Sequence, residues 1–118
     1  MKIAICDDDW HMQQTLRAFI DQTFQDLDML VDGFTSGEAL VAAIHKQTQP
    51  YDLVLLDIEM IGMNGIETAK KVRQFLPECY IIFITSHDEF ALTGYEVAAF
   101  RYLVKPLQPE KLAEAISA

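Results

Sequence analysis

The chain has 118 residues, of which 51% are hydrophobic and 23% are charged, and these values predict one folded domain rather than two domains or a disordered chain. Eighteen acidic residues against nine basic ones leave a net charge of -9, which disfavours direct contact with nucleic acid or with an anionic membrane surface. The longest stretch without Asp, Glu, Lys or Arg has nine residues, far fewer than a membrane-spanning helix needs.

Short apolar runs alternate with amphipathic stretches from one end of the chain to the other. Five runs are predicted as strands, namely Ile3–Cys6, Met29–Phe34, Leu53–Leu56, Tyr80–Ile84 and Phe100–Val104. Five stretches are predicted as helices, namely 12–24, 40–44, 66–76, 88–98 and 112–116. This alternation predicts an α/β domain with a doubly wound parallel sheet, whose functional site lies beyond the carboxyl ends of the strands.

The two cysteines, Cys6 and Cys79, lie far apart in the sequence, with no CxxC pair and no nearby pair of histidines. Their spacing predicts neither a disulfide framework nor a zinc site. We expect both thiols to be small, buried hydrophobic groups.

Four of the five predicted strands are followed by polar or charged residues. In chain order these are Asp7–Asp9, Asp57, Thr85–Ser86 and Lys105. Each has an ordinary explanation by itself, because acidic residues favour turns, threonine caps helices and lysine lies at surfaces. In a parallel sheet, however, the strands deliver all of these groups to one edge.

Carboxylates crowded at one edge repel one another and raise each other's pKa unless a cation neutralises them, so we expect a hard divalent ion there. Ligands from two loops, completed by water, suit the octahedral shell of Mg²⁺ better than that of Ca²⁺, which takes six to eight oxygens. The expected direct ligands are Asp8 and Asp57, with Asp7 nearby or acting through water.

A carboxylate beside Mg²⁺ can also act as a nucleophile toward phosphorus and form an aspartyl phosphate. Asp57 is the expected nucleophile. The Lys105 ammonium would offset charge on the phosphoryl oxygens, and the Thr85 hydroxyl would donate a hydrogen bond to them.

The segments ICDDD, LVLLDIEM, IIFITS and YLVKP, in this order, resemble the response-regulator receiver domain of two-component signalling. The resemblance covers essentially the whole chain, so residues 1–118 are expected to form one receiver domain without an output domain. It implies the flavodoxin-like (CheY-like) receiver fold with five parallel strands in the order 2-1-3-4-5. It also implies a phosphoacceptor signalling domain rather than an enzyme, with Mg²⁺ supported by Asp7 and Asp8.

The same resemblance assigns roles around the acceptor Asp57. The donor is the phosphohistidine of a sensor histidine kinase, and the backbone carbonyl of Glu59 is a further metal ligand. In the switch, Thr85 moves toward the phosphoryl group and Tyr102 turns inward behind it. Glu59 and His87 flank the chemistry and tune the lifetime of the phosphoryl group.

The segments IAICDDD and FALTGYEVAAFRYLVKP are similar to receivers whose output is a LytTR-type DNA-binding domain. We therefore expect a transcription regulator, controlled through the face made by the fourth helix, fifth strand and fifth helix, with homodimerisation on phosphorylation as one route. No such output domain is present in the 118 residues, and an end at Ala118 within the last predicted helix favours a fragment over a stand-alone receiver.

Three other classes of protein share parts of this pattern. A flavodoxin-like FMN protein needs a phosphate-binding loop after the first strand, where three aspartates would repel the phosphate. A haloacid-dehalogenase-type phosphatase has a second Asp two residues past its nucleophile, where this chain has Glu59. The third alternative is a phosphorylation-independent pseudo-receiver that acts as a protein-interaction module. The N-terminus lacks the apolar core of a signal peptide, so we expect a cytoplasmic protein.

Overall fold

The computed structural model describes residues 1–25, 28–46, 50–86, 101–105 and 108–117. The strands are β1 (Lys2–Cys6), β2 (Leu30–Phe34), β3 (Leu53–Leu56), β4 (Tyr80–Thr85) and β5 (Arg101–Val104). The helices are α1 (Trp10–Thr23), α2 (Gly37–Lys46), α3 (Gly65–Phe75) and α4 (Pro109–Ser117). The predicted helix 88–98 lies outside the described residues, so the last predicted helix is α4 here.

All neighbouring strands are parallel, and their order in the sheet is β2-β1-β3-β4-β5. The expected parallel α/β fold is therefore confirmed. The register places Cys6 beside Leu56, the last residues of β1 and β3. The residues that follow them, Asp7 and Asp57, consequently leave the sheet side by side.

Both faces of the sheet are covered, because alternate residues of each central strand pack on opposite sides. In β1, Ala4 and Cys6 belong to the core cluster that includes residues of α2 and α3. Ile3 and Ile5 belong to the cluster that includes residues of α1 and α4. Each fully buried Ile or Leu of these layers contributes about 1.5–3 kcal/mol relative to exposure. The continuous apolar runs of the sequence correspond to this two-sided burial.

Side-chain caps fix where three helices begin. The Asp9 carboxylate accepts from His11 N at 2.9 Å at the start of α1, and Asn64 Oδ1 accepts from Glu67 N at 2.9 Å at the start of α3. Before α2, Ser36 Oγ accepts from Ala39 N at 3.1 Å. Each cap satisfies an amide that has no partner within its own helix.

The expectation for the cysteines is confirmed, since Cys6 and Cys79 are both free and buried. Burial raises the pKa of the Cys6 thiol to about 12 and that of Cys79 to about 11. Within the described part of the chain, no helix combines the length and apolar character needed to cross a bilayer.

Candidate functional site

Asp7 and Asp8 lie in the loop between β1 and α1, at the carboxyl edge of the sheet. Asp7 is buried, its amide donates to the Phe34 carbonyl at 3.0 Å, and its Oδ1 accepts from Asp9 N at 2.9 Å. Asp8 is exposed, and its Oδ2 accepts from Ile61 N at 3.3 Å. One carboxylate of the pair is therefore held inside the fold while the other faces solvent.

Asp57 leaves the end of β3 and is only 7% exposed. Its amide continues the parallel ladder by donating to the Cys6 carbonyl at 3.0 Å, and its Oδ1 accepts weakly from Glu59 N at 3.4 Å. Asp7, Asp8 and Asp57 each offer a carboxylate oxygen, and these three oxygens lie within 4.8 Å of one another. The strand ends thus bring together the three predicted carboxylates.

Lys105 follows β5 and reaches across the edge of the sheet to the same cluster. Its amide donates to the Thr85 carbonyl at 2.6 Å, which extends the pairing of β4 with β5 beyond the last strand residue. Its Nζ lies 3.6 Å from Asp7 Oδ2 and 3.8 Å from Asp57 Oδ1. The ammonium therefore contacts both buried carboxylates at once.

One ammonium does not neutralise this cluster. Burial and, next, the negative charge of Asp7 raise the pKa of Asp57 to about 6, while Lys105 opposes the shift. Burial also raises the pKa of Asp7 against the lowering effects of its hydrogen bond from Asp9 and of Lys105. Among the described residues, the three carboxylates at this edge therefore carry more negative charge than the Lys105 ammonium balances.

The donor set fits a hard divalent cation such as Mg²⁺. All three clustered side chains offer carboxylate oxygens, and the cluster is open to solvent on the side of the exposed Asp8. The loop residue Glu59, whose carbonyl is the fourth expected ligand, lines with Asp8 an open depression of about 420 Å³. The unbalanced charge of the cluster and its open side therefore suit an ion that keeps part of its water shell.

The other predicted residues are placed to different extents. Thr85 is fully buried at the carboxyl end of β4. Tyr102 lies in β5, and His87 lies outside the described residues. The proposed switch side chain of Tyr102 and the tuning position His87 thus stay predictions.

The sequence alone does not predict two features of the site. Asp9, the third residue of the acidic triplet, caps α1 instead of joining the cluster. Gln13 is buried and donates from Nε2 to the Asp7 carbonyl at 2.9 Å. Its signal in the sequence is a polar amide at helical spacing with Leu16 and Ile20, on the buried face of α1.

Residues 3–117 match the family of the response regulator receiver domain. The chain therefore belongs to this family of two-component signalling domains, which partner with histidine kinases, and the expected resemblance is confirmed. The acidic cluster at the carboxyl edge of the sheet fits the phosphoacceptor site of such domains.

Individual relatives agree with this assignment. The chain is similar to the "Positive alginate biosynthesis regulatory protein" of Pseudomonas aeruginosa, with 36% identity over 116 residues that cover 98% of this chain and 46% of that protein. It is 30% identical to the "Sensory transduction protein LytR" of Staphylococcus haemolyticus over 121 residues, which cover 99% of this chain and 44% of that protein. A third relative is named "Uncharacterized transcriptional regulatory protein YxjL" in Bacillus subtilis, with 35% identity over 121 residues that cover 100% of this chain and 53% of that protein. The chain thus spans about half the length of these relatives.

A solved structure shows the same fold. The response regulatory domain of protein mrkE from Klebsiella pneumoniae superposes with a TM-score of 0.87 at 28% identity, covering 99% of this chain and 93% of that one.

Proposed function

We propose that this domain accepts a phosphoryl group on the Asp57 carboxylate, in a reaction that requires Mg²⁺ and takes the group from the phosphohistidine of a sensor histidine kinase. The observation that carries the proposal is the position of Lys105 Nζ, 3.8 Å from Asp57 Oδ1 and 3.6 Å from Asp7 Oδ2. This arrangement sets a cation beside a nearly buried nucleophile and an acidic cluster.

The transfer step balances without another reactant. An oxygen of ionised Asp57 forms a bond to phosphorus while the bond between phosphorus and the imidazole nitrogen breaks. The electron pair of that bond stays with the nitrogen, and the ring leaves as neutral imidazole when its other nitrogen carries a proton. Because burial raises the pKa of Asp57 only to about 6, the carboxylate is mostly ionised at neutral pH.

The surrounding residues have distinct tasks in this proposal. Asp7, Asp8, Asp57 and the Glu59 carbonyl would hold the metal, which when bound neutralises charge on the phosphoryl oxygens. Lys105 would bind one of those oxygens as a point charge. The Thr85 hydroxyl would donate to another oxygen once the group is attached.

Phosphorylation would then shift the domain between two arrangements. New contacts from Thr85 and Lys105 to the phosphoryl dianion would favour one state, with Tyr102 turning inward behind Thr85. Glu59 and His87 would tune the lifetime of that state. A full reversal of such an equilibrium needs about 5 kcal/mol of differential binding.

The output belongs to the longer protein of which this domain would be one part. The similarity to a protein named LytR and the half-length match to the relatives support a LytTR-type DNA-binding domain that regulates transcription. The face containing β5 and α4 would transmit the signal, with homodimerisation as one route. We expect phosphorylation to change the DNA affinity of the longer protein without direct DNA contact by this domain.

Intact mass after incubation with acetyl phosphate and Mg²⁺ tests the acceptor. We expect one added phosphoryl group on the wild type and none on Asp57→Asn or in EDTA. Asp21→Asn, an exposed aspartate of α1 outside the cluster, is the matched control and should be labelled like the wild type. Absence of any adduct, with acetyl phosphate and then with a phosphorylated kinase, would instead support a pseudo-receiver that acts as an interaction module.

A further inference from the structure

Gln13 is a polar side chain on the buried face of an otherwise apolar helix stripe. It is 1% exposed, and the other buried residues of α1 are Leu16 and Ile20. Burying an amide is costly unless its donors and acceptors find partners, so its retention at a core position requires specific contacts.

Both hydrogens of the Gln13 amide have acceptors. Nε2 donates to the Asp7 carbonyl at 2.9 Å and to the Phe34 carbonyl at 2.8 Å. Two carbonyl oxygens define the orientation of this amide, because the reverse orientation would set three acceptors against one another. The side chain thus joins α1 to the ends of β1 and β2.

The Phe34 carbonyl also accepts from the Asp7 amide at 3.0 Å. The backbone of Asp7 is therefore held on both sides, through its N–H by β2 and through its C=O by Gln13. Asp8 follows directly, so the direction in which both carboxylates leave the loop depends on this contact.

A glycine in β2 makes room for the amide. A Cβ added to Gly33 would overlap Gln13 Oε1, the remaining polar atom of the side chain. The space left by the missing side chain at Gly33 is thus occupied by the Gln13 amide.

We propose that Gln13 is a positioning residue, which holds the β1–α1 loop so that Asp7 and Asp8 face Asp57 in the geometry needed for Mg²⁺ binding. The inference rests on the proposed function for the metal, but the contacts of Gln13 are made by atoms of this chain alone. Gln13 acts through the loop backbone and does not itself reach the ion.

The test compares two substitutions on the same helix. Gln13→Met keeps the length of the side chain but removes its donors. Arg17→Met is the matched control, because Arg17 Nη1 donates to the Val31 carbonyl at 3.0 Å and so makes the same kind of bond from α1 to β2 farther from the cluster. The measurements are Mg²⁺ titration by calorimetry and, in EDTA, hydrogen exchange of the Asp9 amide, which donates to Asp7 Oδ1.

We expect Gln13→Met to weaken Mg²⁺ binding about tenfold, as substitutions behind metal ligands do. It should also accelerate Asp9 exchange beyond the change in global stability. Arg17→Met should change neither quantity beyond its effect on stability. Gly33→Ala would bring a Cβ against Gln13 Oε1 and to 3.2 Å from Arg17 Nη2. It should weaken Mg²⁺ binding as Gln13→Met does, with Arg17→Met showing how much of the effect comes from Arg17, and it provides a second route if Gln13→Met does not fold.

Two negative results have different meanings. Unchanged Mg²⁺ affinity in folded Gln13→Met or Gly33→Ala would overturn the inference, because Gln13 would then serve stability alone. If the wild type itself bound no Mg²⁺, the proposed function would fail first, and Asp9 exchange would still decide whether Gln13 holds the loop.

Discussion

Asp57 combines two properties that oppose each other in a folded protein, burial and negative charge. It is 7% exposed and lies beside Asp7, and its Oδ1 is 3.8 Å from Lys105 Nζ. Its pKa rises from 3.8 to about 6 as a result, mainly because of burial. The carboxylate that we propose as nucleophile is thus held in a state that destabilises the metal-free fold.

This state predicts an unusual pH dependence for the metal-free domain. The pKa of Asp57 is higher in the folded than in the unfolded chain. Folding therefore takes up protons between pH 3.8 and about pH 6. The contribution of Asp57 to stability is therefore largest at low pH and is lost as the pH rises through that range. Asp57→Asn should remove this dependence and raise the free energy of unfolding at neutral pH by about 1–3 kcal/mol.

Urea unfolding in EDTA, followed by circular dichroism over this pH range, measures the effect. Asp21→Asn controls for loss of one negative charge at an exposed position and should leave the pH dependence unchanged. A wild-type domain whose stability instead increased with pH relative to Asp57→Asn would show that Asp57 is well neutralised in the fold.

At the level of elements, the start of α3 is built against the strand that carries Asp57. The Gly65 amide donates to the Ile58 carbonyl at 2.8 Å. A Cβ at Gly65 would overlap the Asp57 carbonyl oxygen and lie 2.6 Å from the Ile58 Cα. These are backbone atoms, which cannot rotate away, so this close approach needs glycine.

Gly65→Ala should therefore destabilise the domain by about 3 kcal/mol, through overpacking against the backbone after β3. The control is Gly62→Ala in the same loop, where φ is +83° and the nearest group is the flexible Glu38 carboxylate at 2.9 Å. The backbone strain of alanine in the left-handed region should lower the free energy of unfolding of Gly62→Ala by only about 1 kcal/mol. Urea unfolding of both variants gives the comparison, and equal losses would mean that α3 can move away from β3.

The same loops show where prediction from sequence reaches its limit. Continuous apolar strands and parallel pairing suffice to predict that Asp7, Asp57 and Lys105 meet at one edge, because strand ends in such a sheet lie together. The separation of Asp9 from the cluster could not be predicted, since a carboxylate at that position suits both a helix cap and a metal.

The contacts of Gln13 were beyond prediction for another reason. Its partner Phe34 is 21 residues away, and the bond depends on where α1 crosses the end of β2. Contacts of this kind depend on how whole helices and strands pack, and no periodic pattern in the sequence indicates them. The polar residue on a buried helix face is visible, but its partners are not.

For the whole molecule, the net charge of -9 means that a simple salt such as NaCl should stabilise the fold by screening general repulsion. The acidic cluster adds local repulsion between its carboxylates, which general screening by salt does not remove. Its three carboxylate oxygens lie within 4.8 Å, so an ion bound between them interacts much more strongly than a diffuse counterion. General and site-specific effects of cations can therefore be separated.

We expect MgCl₂ to raise the free energy of unfolding more than NaCl at the same ionic strength. The specific gain should be about 2.7 kcal/mol when Mg²⁺ is at a hundred times its dissociation constant. Asp8→Asn removes the exposed carboxylate of the cluster without touching the core, so it should lose this specific gain and keep the response to NaCl, while Asp21→Asn keeps both. Equal responses of the wild type to the two salts, measured by urea unfolding, would mean that the cluster is only part of a general negative surface. Because Asp8 lies in the exposed loop and Asp57 at the end of a buried strand, a specific response would show that Mg²⁺ links these two parts of the fold.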